Sequence, residues 1–393
     1  MATLLLITIY IGFIGLGVPD SLLGSAWPSM FAELDLPLSF NGVFSLYVST
    51  CTAVSSVLSA RVIRRFGTGK VTAVSTAMTA LALLGFALTP GAWFLFVACI
   101  PLGLGAGAVD AGLNNYVALH YKASHLNFLH CFYGVGVSVS PVLMSLALGK
   151  TASFRRGYLF AFFLQSAIAL ISFLALPLWN KVKHPDALLS DETETRLVPL
   201  KEQIKSPAVR ILWLMFLFAC AIEWTCGSWC ATFLFKAKGL SEPKAALCVT
   251  LFYAGLAFGR FLAGVLSSRL TERQLIVAGF LLVAFSLVFM MCPAPFASPA
   301  FFFAGLGIGP VYPNLVHLTP RLVGVENSQS VMGTQMAAAY VGVMASPLFF
   351  GFFSDLCGMW ILPVFVGVLL VPTAFCVKKL LSFPLDQERN GSL

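Results

Sequence analysis

The feature that most limits this chain is a repeated one. Apolar runs of about twenty residues follow one another from near the first residue to near the last. Val71–Leu88 and Leu275–Met291 contain no charged residue at all. A run of this length crosses a hydrocarbon layer ~30 Å thick, because a helix rises ~1.5 Å per residue and satisfies its backbone polar groups internally. A membrane β-barrel would read instead as short segments of alternating polarity. Twelve runs can be marked, at 4–30, 40–62, 71–89, 93–118, 127–149, 156–178, 208–235, 244–267, 273–292, 297–318, 328–353 and 359–379. Only 10% of the 393 residues are charged, against ~25% in a soluble domain. The predicted fold class is an all-α polytopic membrane protein with twelve transmembrane helices.

The basic residues sort by loop. Arg61, Arg64, Arg65 and Lys70 follow span 2, and Lys181, Lys183, Arg196, Lys201, Lys205 and Arg210 follow span 6. Arg269 and Arg273 follow span 8, Arg321 follows span 10, and Lys378, Lys379 and Arg389 end the chain. With twelve spans all these loops lie on one side, so the positive-inside rule puts both termini in the cytoplasm of a multi-pass plasma membrane protein, as in a bacterial inner membrane. The cluster Lys150, Arg155 and Arg156 on the other side is the exception. The net charge of +8 is therefore a topology signal, and no nucleic-acid partner is expected. The first run has almost no basic residues before it and no small-residue cleavage site, and it reads as a retained span. The ten cysteines are scattered singly, so no disulfide, metal set or cofactor is assigned, and the chain is not expected to be an enzyme.

Trp179–Pro207 is the one long polar stretch. It divides the chain into an N-terminal six-helix bundle (1–180), a cytoplasmic linker (181–207) and a C-terminal six-helix bundle (208–393). The halves echo each other. Gly103-Leu-Gly-Ala-Gly107 in span 4 returns as Gly305-Leu-Gly-Ile-Gly309 in span 10, and Asp20 with Trp27 has loose counterparts in Glu223 and Trp229. Two pseudo-symmetric bundles around a central linker form an alternating-access architecture, with the ligand held between them near mid-membrane.

Three acids fall inside spans: Asp20, Asp110 and Glu223. An ionisable group at membrane depth is costly, and its default reading is functional. All three are assigned to proton coupling. Asp20 lies roughly 24 Å along the outward-running span 1, and Asp110 roughly 25 Å along the inward-running span 4, so they read as stations at different heights. The nearest cation is Arg260 in span 8. Asn114 lies one turn from Asp110, and Asn127 with His130 shares a face of span 5. Tyr312, Asn314 and His317 repeat the pattern in span 10. Trp27 lies two turns from Asp20. Directional donors with a flat aromatic face suit a polyhydroxylated ligand, and Trp27, Asn114, His130, Tyr312 and Asn314 are assigned to substrate binding. Pro19 and Pro28 in span 1, Pro141 and Pro347 in spans 5 and 11, and Pro310 and Pro313 in span 10 mark kinks or breaks.

With these residues in view, the chain resembles the major facilitator superfamily. The loop after span 2 is a degraded form of its Gly-x-x-x-Asp-Arg-x-Gly-Arg/Lys-Arg/Lys motif. Ser59 stands at the first glycine, Ile63 at the acid, Arg64 at the arginine, Gly67 at the second glycine and Lys70 near the last basic position. The resemblance implies conformational gating at Arg64 and Gly67, with Arg269 at the corresponding end of span 8. Gly17-Val-Pro-Asp20 through Trp27-Pro28, Gly105 to Asp110 with Asn114, and Leu126 to His130 through Gly134-Val-Gly136 to Pro141 resemble the fucose/glucose–proton symporter branch. In that branch an acid of helix 1 and an acid of helix 4 serve proton coupling and sugar binding, which matches Asp20 and Asp110. The expectation is a monomeric, proton-coupled importer of a sugar-like solute in a lipid bilayer. The alternative is a proton antiporter that exports amphipathic compounds or sugars.

Overall fold

The computed structural model describes residues 2–120, 123–151, 153–181, 199–267 and 269–384. The chain is helical throughout these segments. In the first half the helices are α1 (Ala2–Asp20), α2 (Leu22–Glu33), α3 (Phe40–Phe66), α4 (Thr68–Leu88), α5 (Ala92–His120), α6 (Ala123–Thr151), α7 (Phe154–Leu174) and the short α8 (Leu176–Lys181). In the second they are α9 (Leu200–Gln203), α10 (Pro207–Lys236), α11 (Glu242–Leu266), α12 (Glu272–Met291), α13 (Ala294–Ile308), α14 (Val311–Val323), α15 (Val325–Cys357) and α16 (Leu362–Ser382). A 3-10 turn, Met359–Ile361, leads into α16. Most of the polar linker, residues 182–198, lies outside the described residues.

Among the described residues, eleven helical segments are long and apolar enough to cross a membrane. The α1–α2 pair makes one, Thr3–Glu33, and the α13–α14 pair another, Ala294–Val323. The helix α3 supplies the twelfth span expected from the sequence. Its 27 residues are long enough to cross. It packs between α5 and α15.

The glycine repeat explains how each half is built. A Cβ on Gly103 or Gly107 would run into the carbonyl oxygens of Val48 and Thr52 on α3, and one on Gly105 into Ser75 O on α4. Thus α5 presses its backbone against α3 on one face and α4 on another. The second copy does the same. Gly305 and Gly309 meet the carbonyls of Phe252 and Leu256 on α11, and Gly307 meets Gly279 O on α12. Small residues permit the close approach by which helices associate in lipid, where the hydrophobic effect gives no net attraction. Overpacking such a crossing costs about 1–3 kcal/mol or more. Gly107→Val should therefore lower the thermal midpoint of the purified protein, whereas Gly264→Val, whose Cβ would meet nothing within 4 Å, should leave it nearly unchanged. Equal midpoints would refute the close-packing account.

The two halves meet along a seam at the end of the bundle away from the chain termini. There Gly24 on α2 touches the backbone of Gly227 and Ser228 on α10, and Gly42 on α3 touches Pro347 and Leu348 on α15. Asn41 Nδ2 donates to Ser228 O at 2.8 Å, Ser39 N to Asp355 Oδ2 at 3.3 Å, and Ser145 Oγ to Pro243 O at 2.7 Å. Further in, Thr250 Oγ1 donates to Ser138 O at 3.1 Å. Each half also carries a fully buried tryptophan towards this end. Trp27 Nε1 donates to Leu38 O at 3.1 Å beside Phe44, and Trp229 Nε1 to Pro347 O at 3.1 Å beside Phe350.

Candidate functional site

The first part of the site follows from a glycine crossing. A Cβ on Gly17 of α1 would collide with Tyr133 O of α6, and one on Gly136 of α6 with Ile14 O of α1. The two backbones therefore touch, and the contact delivers the Tyr133 hydroxyl to Asp20 Oδ2 at 2.7 Å. Asp20 is the last residue of α1, where Ser21 interrupts the span before α2. Pro141 has no N–H, which leaves the carbonyl of Val137 without its helical donor. Ser21 Oγ fills that vacancy at 2.7 Å and also lies 2.7 Å from Ser140 Oγ. The break beside Asp20 is thus satisfied from α6.

The second half uses the same device. The span α13–α14 is broken at Gly309 and Pro310. Pro313 cannot donate to the carbonyl of Gly309 four residues earlier. Arg260 Nε on α11 reaches that carbonyl at 3.3 Å, while its Nη2 lies 3.7 Å from Glu223 Oε1 on α10. The two side chains keep 19% and 18% of their surface open. Tyr253 stands seven residues before Arg260, on the same face of α11, with its hydroxyl over Gly227 of α10.

These groups form one cluster across the junction of the halves. Tyr133 lies within electrostatic reach of Asp20, Tyr253 and Glu223, and Tyr253 within reach of Asp20 and Glu223. The charge of Arg260 reaches His130 on α6 and Tyr312 on α14. Asp110 has a separate partner. Asn114 Nδ2 donates to Asp110 Oδ1 at 2.8 Å and to Asp110 O at 3.0 Å. Tyr340 of α15 lies within electrostatic reach of Asp110 and Asp20.

The other residues singled out in the sequence fall in different places. Trp27 is fully buried between α2 and α3, so its indole holds the seam end of the first half rather than facing Asp20. Asn314 is 8% exposed and spends its amide on Pro310 O of its own helix at 2.7 Å. The Tyr312 hydroxyl lies 2.7 Å from Met336 Sδ, and its ring packs edge-on against Phe216. The exposed ring of His130 lies edge-on to Phe13 of α1. Gly67 makes the one-residue joint between α3 and α4 at φ +83°, a conformation that favours glycine, and Arg269 is exposed beyond α11. The Arg64 side chain and Asn127 side chain lie outside what is described. Gln165 bonds Thr79 at 2.7 Å and Gln335 accepts from Thr319 at 3.1 Å, so both serve as interhelical bridges.

Sequence reading left two members of the cluster without a role. Tyr133 was given no part in the site. Its spacing of three from His130 and its place beside Gly134 and Gly136 were the available signals. Arg260 was visible as an intramembrane cation, but its choice of Glu223 over Asp20 or Asp110 depends on which faces of α10 and α11 meet.

A twelve-span helical bundle in two repeated halves, with charged groups buried where the halves meet, defines a membrane transporter of the alternating-access class. The family profile of the Major Facilitator Superfamily matches residues 9–347 and 224–391, and the chain belongs to that superfamily. A probable hexose phosphate transport protein of Chlamydia muridarum (strain MoPn / Nigg) is 28% identical over 168 residues, and its counterpart in Chlamydia trachomatis serovar D is 29% identical. Each match spans 36% of this chain and 36% of the relative. Among solved structures, a bacterial homologue of the human lysosomal transporter Spinster, in an inward-facing and unoccupied conformation, superposes with a TM-score of 0.74 at 13% identity, over 96% of both chains. The nucleoside transporter NupG gives 0.74 at 14% identity, over 97% of this chain and 99% of that one. At these identities the structural likeness establishes the fold. The relatives carry hexose-phosphate, nucleoside and Spinster descriptions, so membership of the superfamily stands, and nothing among them points specifically to the fucose/glucose symporter branch.

Proposed function

We propose that this protein imports a small polyhydroxylated solute together with protons, by alternating exposure of the junction between its halves. The observation that carries the reading is the pairing of an acid at a helix break, Asp20 bonded to Tyr133, with a second acid, Glu223, across the junction. A carboxyl group at such a place sheds the cost of its charge by taking up a proton before the site closes. Asp110, one turn from Asn114, serves as a second proton station. His130 and Asn114 offer ring and amide groups that suit hydroxyl ligands. The partial likeness to hexose phosphate transport proteins supports a sugar-like solute, and the loop charges support cytoplasmic termini.

The test is uptake by proteoliposomes under an imposed pH gradient, with a panel of sugars and sugar derivatives. An inward proton gradient should drive accumulation of at least one of them, and Asp110→Asn should lose that drive while keeping solute exchange. No driven accumulation of any member defeats the importer reading. Driven efflux of amphipathic compounds would favour antiport instead.

A further inference from the structure

We infer that the transported solute carries an oxyanion, a carboxylate or a phosphate, which binds Arg260 in place of Glu223. This rests on the proton-coupled reading above and narrows it.

Arg260 and Glu223 are held together loosely. The 3.7 Å separation is longer than a charge-assisted hydrogen bond of ~2.7–2.9 Å. A contrasting pair in the same half, Arg321 with Glu272, engages both carboxylate oxygens at 3.0 and 3.1 Å although it is more exposed. Arg260 is instead held by its Nε on the carbonyl that Pro313 leaves free at Gly309. That bond fixes the stem of the guanidinium while the edge carrying Nη2 points towards Glu223. A guanidinium has five donors in a planar fork that matches an oxyanion, and one loose carboxylate contact plus one carbonyl leaves donor capacity over. Both side chains keep about a fifth of their surface open at the junction of the halves, where a solute enters (19% and 18%).

The surrounding charges make binding depend on protons. The groups in electrostatic reach of this pair are His130 and Tyr133 on α6, Cys220 and Cys226 on α10, Tyr253 on α11 and Tyr312 on α14; Asp20 on α1 lies beyond Tyr133 and Tyr253, and Asp110 on α5 and Tyr340 on α15 lie beyond Tyr312 and Cys220. Three carboxyl groups thus share the junction with a single arginine among the described residues. An incoming oxyanion meets repulsion from each carboxylate that is ionised. It displaces Glu223 from Arg260, and Glu223, left without its counter-ion, takes up a proton. The solute's charge then stays balanced on Arg260 while the proton travels on Glu223. No covalent bond is made or broken. Coupling is electrostatic exchange of one anionic partner for another on one cation.

The experiment uses the purified full chain in proteoliposomes and in detergent, with glucose, glucuronate and glucose 6-phosphate as probes. Under an inward proton gradient, glucuronate or glucose 6-phosphate should accumulate at least about tenfold better than glucose, corresponding to ~1.4 kcal/mol. In direct binding, affinity for that anion should fall as pH rises. Glu223→Gln should bind it more tightly and with a shallower pH dependence, because the direct competitor for Arg260 is neutral while Asp20 and Asp110 still titrate. Arg260→Gln should lose anion binding by roughly 10- to 100-fold, as expected for a lost charged hydrogen bond, and Arg260→Lys should recover part of it. A pair that merely joined α10 to α11 would lower the thermal midpoint in all three variants while leaving affinity and its pH dependence unmoved, and that pattern overturns the proposal. So does driven accumulation of glucose with neither anion transported, which would leave the import reading intact. Failure of every probe to accumulate, with none of them bound, overturns both.

Discussion

Replacing Asp20 by asparagine is expected to abolish uphill accumulation while leaving solute exchange across the membrane within roughly threefold of wild type, a difference under 1 kcal/mol. The two side chains have the same shape. The amide oxygen introduced by Asp20→Asn would still accept the hydrogen bond that Tyr133 gives at 2.7 Å, so the α1–α6 crossing and the break at Ser21 should persist. What is lost is the capacity to hold and release a proton, and a transporter without it has nothing to couple to the pH gradient. Tyr133→Phe makes the informative comparison. It removes one hydrogen bond to a charged group, worth about 1.5–3 kcal/mol, but keeps the acid, so coupling should weaken and its pH dependence should move without vanishing. Radiolabelled uptake under a pH gradient, paired with counterflow at equal pH, separates the two. Asp20→Asn accumulating solute like wild type would remove Asp20 from the coupling route.

The second large effect concerns the seam. A Cβ on Gly42 would lie 2.5 Å from Leu348 Cα and 2.8 Å from Pro347 O, across the junction of the halves. A leucine there acts as a wedge in the one state where these backbones touch. Overpacking costs ~1–3 kcal/mol, and a bias of that size shifts a two-state population by about 5–150-fold. Gly42→Leu should therefore favour the conformer in which the seam is parted. The measurement is the labelling rate of Ser39→Cys by an impermeant maleimide, in a background without the native cysteines. Ser39 is 4% exposed with the seam shut, so its reactivity should rise steeply in the wedge variant. Gly333→Leu on α15, whose Cβ meets nothing within 4 Å, should leave it unchanged. Transport should fall because the protein leaves one of its two states too rarely. Unaltered labelling in a folded Gly42→Leu protein would mean that this contact does not gate the junction.

Much of this organisation was legible in the chain itself. The prolines announced the breaks, and Pro310 with Pro313 falls where α13 gives way to α14. The repeat of Gly103 to Gly107 at Gly305 to Gly309 identified corresponding helices, and the structure gives both copies the same neighbours. The assignment of Trp27 to a ligand illustrates what was not legible. Two turns of helix place it on nearly the same side as Asp20, but the helix is interrupted at Ser21 between them, and the indole turns into the packing of α2 on α3. Asn314 likewise reads as a polar group at membrane depth, yet Pro310 four residues before it offers a carbonyl within its own helix. A one-dimensional pattern shows that a polar side chain needs a partner and does not show whether the nearest one is intrahelical.

The sequence alone determined that the protein crosses a membrane repeatedly as helices, that it does so in two related halves, and that three acids lie at depth. Each of these depends on local quantities: the length of an apolar run, the spacing of glycines, and the presence of a charge within a span. Tertiary structure alone decided that Asp20 meets Tyr133, that Arg260 sits between Gly309 and Glu223, and that the halves close at Gly24 and Gly42. Those pairings depend on how far each helix is rotated about its axis and where two axes cross. Lipid exposes all faces of a helix to the same apolar solvent, so hydrophobic periodicity carries little information about rotation, and only the packing of backbone on glycine selects the face.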